Sequence, residues 1–132
     1  MGGYVILDTN ILVRLERELR RGENGTAIQF LETQPSGHFY ITPTIAGEIA
    51  CGASMADFDD WQNFLAPFEL LEIDPNTSWH YGQLYHTLAA DGLLIGTNDL
   101  WIAASGLAHQ QAVATGNVNE FRRIKGLEVI QV

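Results

Sequence analysis

The chain has 132 residues, 46% of them hydrophobic and 17% charged, the balance of a folded domain with a real core and not of a disordered segment. No apolar run approaches the ~18–20 residues of a membrane span, no signal-peptide pattern opens the chain, and a lone cysteine, Cys51, excludes an internal disulfide or a cysteine-built zinc cluster. A single cytoplasmic domain with no membrane association is the expectation. The net charge of −9 argues against a nucleic-acid partner, yet all seven basic residues fall in two short segments, Arg14, Arg17, Arg20 and Arg21, then Arg122, Arg123 and Lys125. The average hides two basic patches on an acidic body.

In chain order, residues 4–7 form a short apolar, β-branched run that reads as a buried strand. Asn10 is placed as the N-cap of a helix running to about Arg21 and stopped by Gly22. Ala27, Ile28, Phe30 and Leu31 suggest a second helix, ended near Pro35-Ser36-Gly37. Phe39 to Ile41 is the next strand, after which Thr42-Pro43 reads as an N-cap with proline in the first turn, opening a helix to about Ala53. Asp57 to Leu65 is a further helix, and Phe68 to Ile73 alternates as a strand ended by Asp74-Pro75. Tyr81, Leu84, Tyr85 and Leu88 recur at helical spacing within 77–90, as do Leu100, Ala103, Ala104, Leu107 and Ala108 within 98–109. Ala112 to Thr115 and Val129 to Val132 are the last strands. Strands alternating with helices predict an α/β fold with a central parallel sheet of four to five strands, flanked by helices on both sides.

Ligands of an open α/β sheet sit beyond the carboxyl ends of its strands. Asp8 stands at one such end, and residues 116–120 (Gly-Asn-Val-Asn-Glu) follow another. Asp99 lies in the first turn of its helix, where the macrodipole favours an anion. Glu48 borders the inward helical face marked by Ile45 and Ile49, so its carboxylate needs a metal or a distant residue as partner. Alone, Asp8 reads equally as a turn residue, Asn98-Asp99 as a helix start, Glu48 as a surface acid and Glu120 as a loop acid. Together they gather negative charge that only a cation neutralises. Oxygen ligands without Cys or paired His select Mg²⁺ or Mn²⁺ over zinc, and metal-assisted phosphodiester hydrolysis is the chemistry implied.

Four ordered segments carry a resemblance: Ile6-Leu7-Asp8-Thr9-Asn10; Thr44 to Glu48, in a Thr-x-x-x-Glu context; Gly96-Thr97-Asn98-Asp99-Leu100-Trp101-Ile102-Ala103-Ala104; and Ala114-Thr115-Gly116-Asn117-Val118-Asn119-Glu120-Phe121, followed by Gly126-Leu127-Glu128-Val129. This set, which spans nearly the whole chain, resembles the PIN-domain ribonucleases, in particular VapC-type toxins of toxin–antitoxin pairs. The resemblance implies a PIN fold, with Mg²⁺ or Mn²⁺ held by Asp8 and Asp99 and assisted by Glu48. It also implies endonucleolytic cleavage of RNA, a homodimer and a VapB-type antitoxin. Asn10, Asn98 and Asn117 stand as supporting polar groups. The chain departs at the fourth acidic position, where many relatives carry Asp after the strand: here Asn117 offers a neutral oxygen and Glu120 a carboxylate. In that family's sheet, strands 4–7 and 112–115 are neighbours, which brings both basic segments to the same edge. Arg14, Arg17 and Arg21 share a helical arc of about 60°, and with Arg122 and Arg123 they are candidates for RNA phosphates. Surface pairs with Glu16, Glu18 or Glu128 are the plainer alternative.

Two other functions stay open: a PIN-like module that binds antitoxin or RNA without turnover, which Asn117 favours, and a phosphatase or phosphotransfer domain using Asp8 as nucleophile, which would prefer an acid where Asn10 stands. His80 and His86 lack the spacing of a zinc pair, Cys51 among small residues reads as a packed thiol, and Trp101 reads as a core or subunit contact.

Overall fold

The computed structural model describes residues 4–35 and 37–132. In chain order its elements are β1 (Val5–Leu7), α1 (Thr9–Arg21), α2 (Thr26–Thr33), β2 (Phe39–Ile41), α3 (Pro43–Ala50), a single 3₁₀ turn (Ala53–Met55), α4 (Phe58–Leu65), β3 (Glu69–Leu70), α5 (Pro75–Ala90), α6 (Thr97–His109), β4 (Ala112–Thr115), α7 (Val118–Phe121) and β5 (Val129–Gln131). All strand pairs are parallel, in the order β3-β2-β1-β4-β5. Every residue of β1 and of β4 is buried. Because successive strand residues face opposite sides, helices must cover both faces of the sheet centre. The chain builds outward from β1 to β2 and β3, then returns to add β4 and β5 on the other side, so the strand order reverses between β1 and β4. That crevice is where an open α/β sheet offers a site.

The expected strands at 4–7, 39–41, 112–115 and 129–132 are found to within a residue, and Gly22 ends α1 in the left-handed conformation, its N–H bonded to the carbonyls of Glu18 and Leu19. Four expectations need correction. Asp8, not Asn10, caps α1, through a bond from the Thr9 N–H to its own carboxylate. The helix opened by Thr42-Pro43 stops at Ala50, and the 3₁₀ turn takes up the residues beyond Gly52. The strand expected over 68–73 shrinks to Glu69–Leu70, both exposed, because β3 is an edge strand paired only with β2. Cys51 is exposed, since it follows the last turn of α3 and does not face inward. Part of the expected break at Pro35-Ser36-Gly37, Ser36, lies outside the described residues. No helix among the described residues is long and apolar enough to cross a membrane.

Glu18, which the sequence suggested as a surface partner for arginine, is 4% exposed and caps a different helix. Its carboxylate accepts the N–H groups of Ala27 (3.2 Å) and Ile28 (2.9 Å) in the first turn of α2, whose own N-cap, Gly25, has no side chain to offer. A Cβ at Gly25 would collide with that carboxylate. This contact docks α2 on α1. Glu18→Ala leaves one buried and one half-buried amide without an acceptor and should cost about 1–3 kcal/mol in chemical denaturation; an unshifted midpoint would refute the capping role.

Gln110, at the end of α6, is the one non-glycine residue with positive φ among those described, at 55°. Gln110→Gly should therefore raise stability by roughly 0.5–1 kcal/mol, read as a higher melting temperature.

Candidate active site

Asp8 ends β1 and is almost fully buried. Its backbone N–H continues the β1–β4 ladder to the Ala114 carbonyl at 2.9 Å, which sets it beside Thr115. One carboxylate oxygen accepts the Thr9 N–H (2.7 Å); the other accepts the Thr115 hydroxyl (2.7 Å) and the Asn10 amide (3.0 Å). Asn10 in turn accepts the Gly116 N–H at 3.1 Å, and the Thr115 oxygen accepts the Asn117 N–H at 2.9 Å. Burial pushes the Asp8 carboxyl above its ordinary range; the bonds from Thr115 and Thr9 pull it back, and the charges of Glu48 and Glu120 push it up again.

Glu48, half-buried on α3, finds its distant partner in Thr9, whose hydroxyl donates to it at 2.8 Å. Thr9 thus joins Asp8 and Glu48 through its backbone and its side chain. Asp99, the third residue of α6, faces the same space. Burial raises its carboxyl first, followed by a hydrogen bond with the Glu120 carboxyl and the charges of Asp8, Glu120 and Glu48, up to about 7. The Asp99 carboxyl therefore keeps its proton to well above the usual carboxylate range. Asp8, Glu48 and Asp99 line one cleft of about 440 Å³ together with Thr9, Asn10 and Asn117. Val13, Arg14 and Arg17 of α1 complete its wall.

The remaining candidates separate. Glu120 reaches the group through Asp99, whereas Asn117 lines the cleft and its N–H is tied to Thr115. The fourth carboxyl is thus present, on α7. Asn98 is exposed and does not line the cleft, because it lies a residue away from Asp99 on the helix. Arg21 and Arg122 are exposed outside it, and Arg123 donates to the Leu93 and Leu94 carbonyls (3.4 and 3.3 Å) in the loop before α6. Thr9 and Thr115 were not among the sequence candidates. A hydroxyl at a strand end next to a buried acid was the available signal.

The donor set is all oxygen, which suits a hard divalent cation. Among the described residues no three carboxylate, imidazole or thiol groups are gathered closely enough to hold an ion as they stand. That spacing is compatible with Mg²⁺, which binds through one or two carboxylates and keeps several waters. Burial first, and the neighbouring acids after it, raise the carboxyls of Asp8 and Asp99, and a cation bound there would favour their charged forms.

The profile of the PIN domain matches residues 5–127. The chain belongs to the PIN-domain family. This PIN domain is 29% identical to Ribonuclease VapC1 of Rickettsia felis, over 97% of this chain and 96% of that protein. It is 26% identical to Ribonuclease VapC2 of Haemophilus influenzae, over 92% of each. Among solved structures, VapBC2 from Rickettsia felis bound to a DNA fragment from its promoter superposes with a TM-score of 0.80 at 24% identity, covering 98% of this chain and 99% of that one. FitAcB from Neisseria gonorrhoeae gives 0.76 at 23%, covering 96% of each. These two likenesses are of fold.

The electrostatics of the PIN site set a pH dependence. The folded protein holds a proton on Asp99 up to about pH 7 that the unfolded chain releases near 3.8. Between those values the folded state binds more protons, so its stability falls as pH rises and the loss is complete above 7. Asp99→Asn in metal-free protein should flatten this slope and raise stability at pH 8 by roughly 1–2 kcal/mol, the full shift being reduced by solvent screening of a half-exposed group. Denaturation curves at pH 5 and pH 8 check it; equal slopes in both proteins would refute the raised Asp99 carboxyl.

Proposed function

We propose that this PIN domain is the toxin of a VapBC-type toxin–antitoxin pair, an endoribonuclease that hydrolyses RNA phosphodiester bonds at a Mg²⁺ or Mn²⁺ centre. The observation that carries the reading is the meeting of Asp8, Glu48, Asp99 and Glu120 at the strand-order reversal, with three of them lining one cleft. The near full-length similarity to proteins named Ribonuclease VapC supports it. Asp8 and Asp99 would hold the metal, with Glu48 and Glu120 assisting. When bound, such an ion polarises the phosphoryl group, lowers the pKa of a bound water and stabilises the leaving oxygen.

The protein's own residues prepare that chemistry. Thr115, Asn10 and the Thr9 N–H hold the Asp8 carboxylate in one orientation, and Thr9 holds Glu48. Asp99 must be ionised to act as a ligand, so its raised carboxyl has to release its proton as an ion binds. Asn10, which donates to Asp8, stands where a phosphotransfer domain would prefer a second acid, and this disfavours the use of Asp8 as a phosphoryl nucleophile. The carboxyl of Glu120 against Asp99 supplies the acid that Asn117 lacks, and so favours turnover over a binding-only module.

The reading includes two protein partners. The relatives solved as VapBC and FitAcB support a VapB-type antitoxin. A homodimer belongs to the same reading, through the resemblance to VapC-type toxins.

Purified protein, freed of co-purified inhibitor, should cut small structured RNAs with Mg²⁺ or Mn²⁺ and stop when EDTA is added. Asp8→Asn and Asp99→Asn should each lower kcat on the order of 10²–10³-fold. Cleavage that persists in both variants would refute the metal-site assignment. No cleavage by the native protein would refute the ribonuclease.

A further inference from the structure

Resting on that reading, we propose that Arg14 is the cation that seats an RNA phosphate in the cleft, with Thr26 as its positioning residue and Gly116 as the bare surface on which it lies. Three observations converge. Arg14 lines the cleft that Asp8, Glu48 and Asp99 line. Its Nη1 donates to the Thr26 hydroxyl at 2.9 Å, and a Cβ on Gly116 would stand only 3.1 Å from its Nη2. Among the described residues no carboxylate reaches ion-pair distance of it; the ion pair found there joins Arg20 to Glu16 at 3.1 Å.

Each observation has a physical consequence. An arginine beside several acids ordinarily pairs with one, and its charge is then neutralised locally. Here a neutral hydroxyl orients the guanidinium, so the full charge and most of its five donors stay available. Gly116 has no positive φ, so its backbone does not demand glycine. The space beside it is what glycine leaves open, because a Cβ at 116 would make the guanidinium shift by a few tenths of an ångström. Arg14 is half-buried whereas Arg17 beside it is exposed. A planar fork held at the rim of an anionic cleft suits a phosphate oxygen pair. Such a contact offsets the repulsion that the acids exert on an incoming phosphodiester.

Steady-state cleavage of a short single-stranded RNA with Mg²⁺ should show KM raised about tenfold in Arg14→Ala, with kcat changed far less. RNA binding measured in the Asp99→Asn background across a salt series should show a log–log slope smaller by about 0.7 in Arg14→Ala, one phosphate contact on a single strand. Arg14→Lys keeps the charge, so its slope should stay native while KM rises a few-fold through loss of the fork. Thr26→Val should raise KM several-fold with the slope unchanged, and Lys125→Ala, a charge removed elsewhere, should move neither. If Arg14→Ala does not fold, the Lys and Thr26 variants decide by KM. Native KM and native slope, or a loss confined to kcat, would overturn the proposal. Should the native protein cut no RNA, the ribonuclease reading fails on its own. An Arg14-dependent binding slope would still uphold the phosphate seat, and an Arg14-independent slope would remove both.

Discussion

The hydrogen bond from the Thr115 hydroxyl to the buried Asp8 carboxylate, at 2.7 Å, is the contact around which the carboxyl edge of the sheet is arranged. It exists because β1 and β4 pair in parallel with Leu7 opposite Ala114, so that the next residue of each strand meets its neighbour beyond the last ladder position. A slip of one residue would turn Thr115 to the other face and leave Asp8 without its strongest side-chain donor. A carboxylate buried with unsatisfied oxygens costs several kcal/mol. Register and site are therefore one requirement. The same acid caps α1, so the direction in which α1 leaves the sheet is tied to it as well.

From that cap, α1 reaches its surroundings through one row of residues spaced four apart. Asn10 bonds Gly116 at the end of β4, Arg14 bonds Thr26 at the start of α2, and Glu18 bonds the amides of Ala27 and Ile28 one turn further on. Side chains at this spacing lie along one helix face. All three partners are thus held relative to Asp8 by a single rigid element. Polar contacts fix the turn between α1 and α2 beside the apolar packing of Leu15 and Ala27, and the two amides that donate to Glu18 are why a buried glutamate is tolerated there.

How much of this was legible depends on the range of the interaction. The short apolar strands, the Thr42-Pro43 start of α3 and the glycine stop of α1 follow from local chemistry and were readable. Asp8, Asp99 and Glu48 were readable because acids at strand ends, helix starts and inward helix edges are unusual places for uncompensated charge. The identity of the α1 cap was not. Asp8, Thr9 and Asn10 are all capping types, and the choice is made by Thr115 and Gly116, more than a hundred residues away. The truncation of β3 and the exposure of Cys51 were equally hidden, since both depend on which strand is the sheet edge and where α3 stops. By local chemistry Glu120 reads as a loop acid, and only the family resemblance offers it as the fourth carboxyl; the four-residue α7 is what brings it to Asp99.

A chain of net charge −9 that gathers acids in one cleft faces a choice about its few cations. Pairing Arg14 or Arg17 with the carboxylates would remove the repulsion and with it the affinity for a metal ion. Leaving the acids unpaired adds their mutual repulsion to the burial that chiefly raises Asp99 to about 7, and lowers the stability of the metal-free protein at neutral pH. The fold takes the second course, and the position of Thr26 shows how: a neutral acceptor holds the guanidinium of Arg14 along Gly116, at the cleft wall yet off the acids. Opposite charges then share one cleft without cancelling. A phosphodiester with a divalent cation is a ligand that satisfies both at once, the anion meeting the arginine and the cation the carboxylates. The destabilisation that unpaired acids carry is modest beside the roughly 5–15 kcal/mol of a typical domain, and binding such a ligand would relieve it.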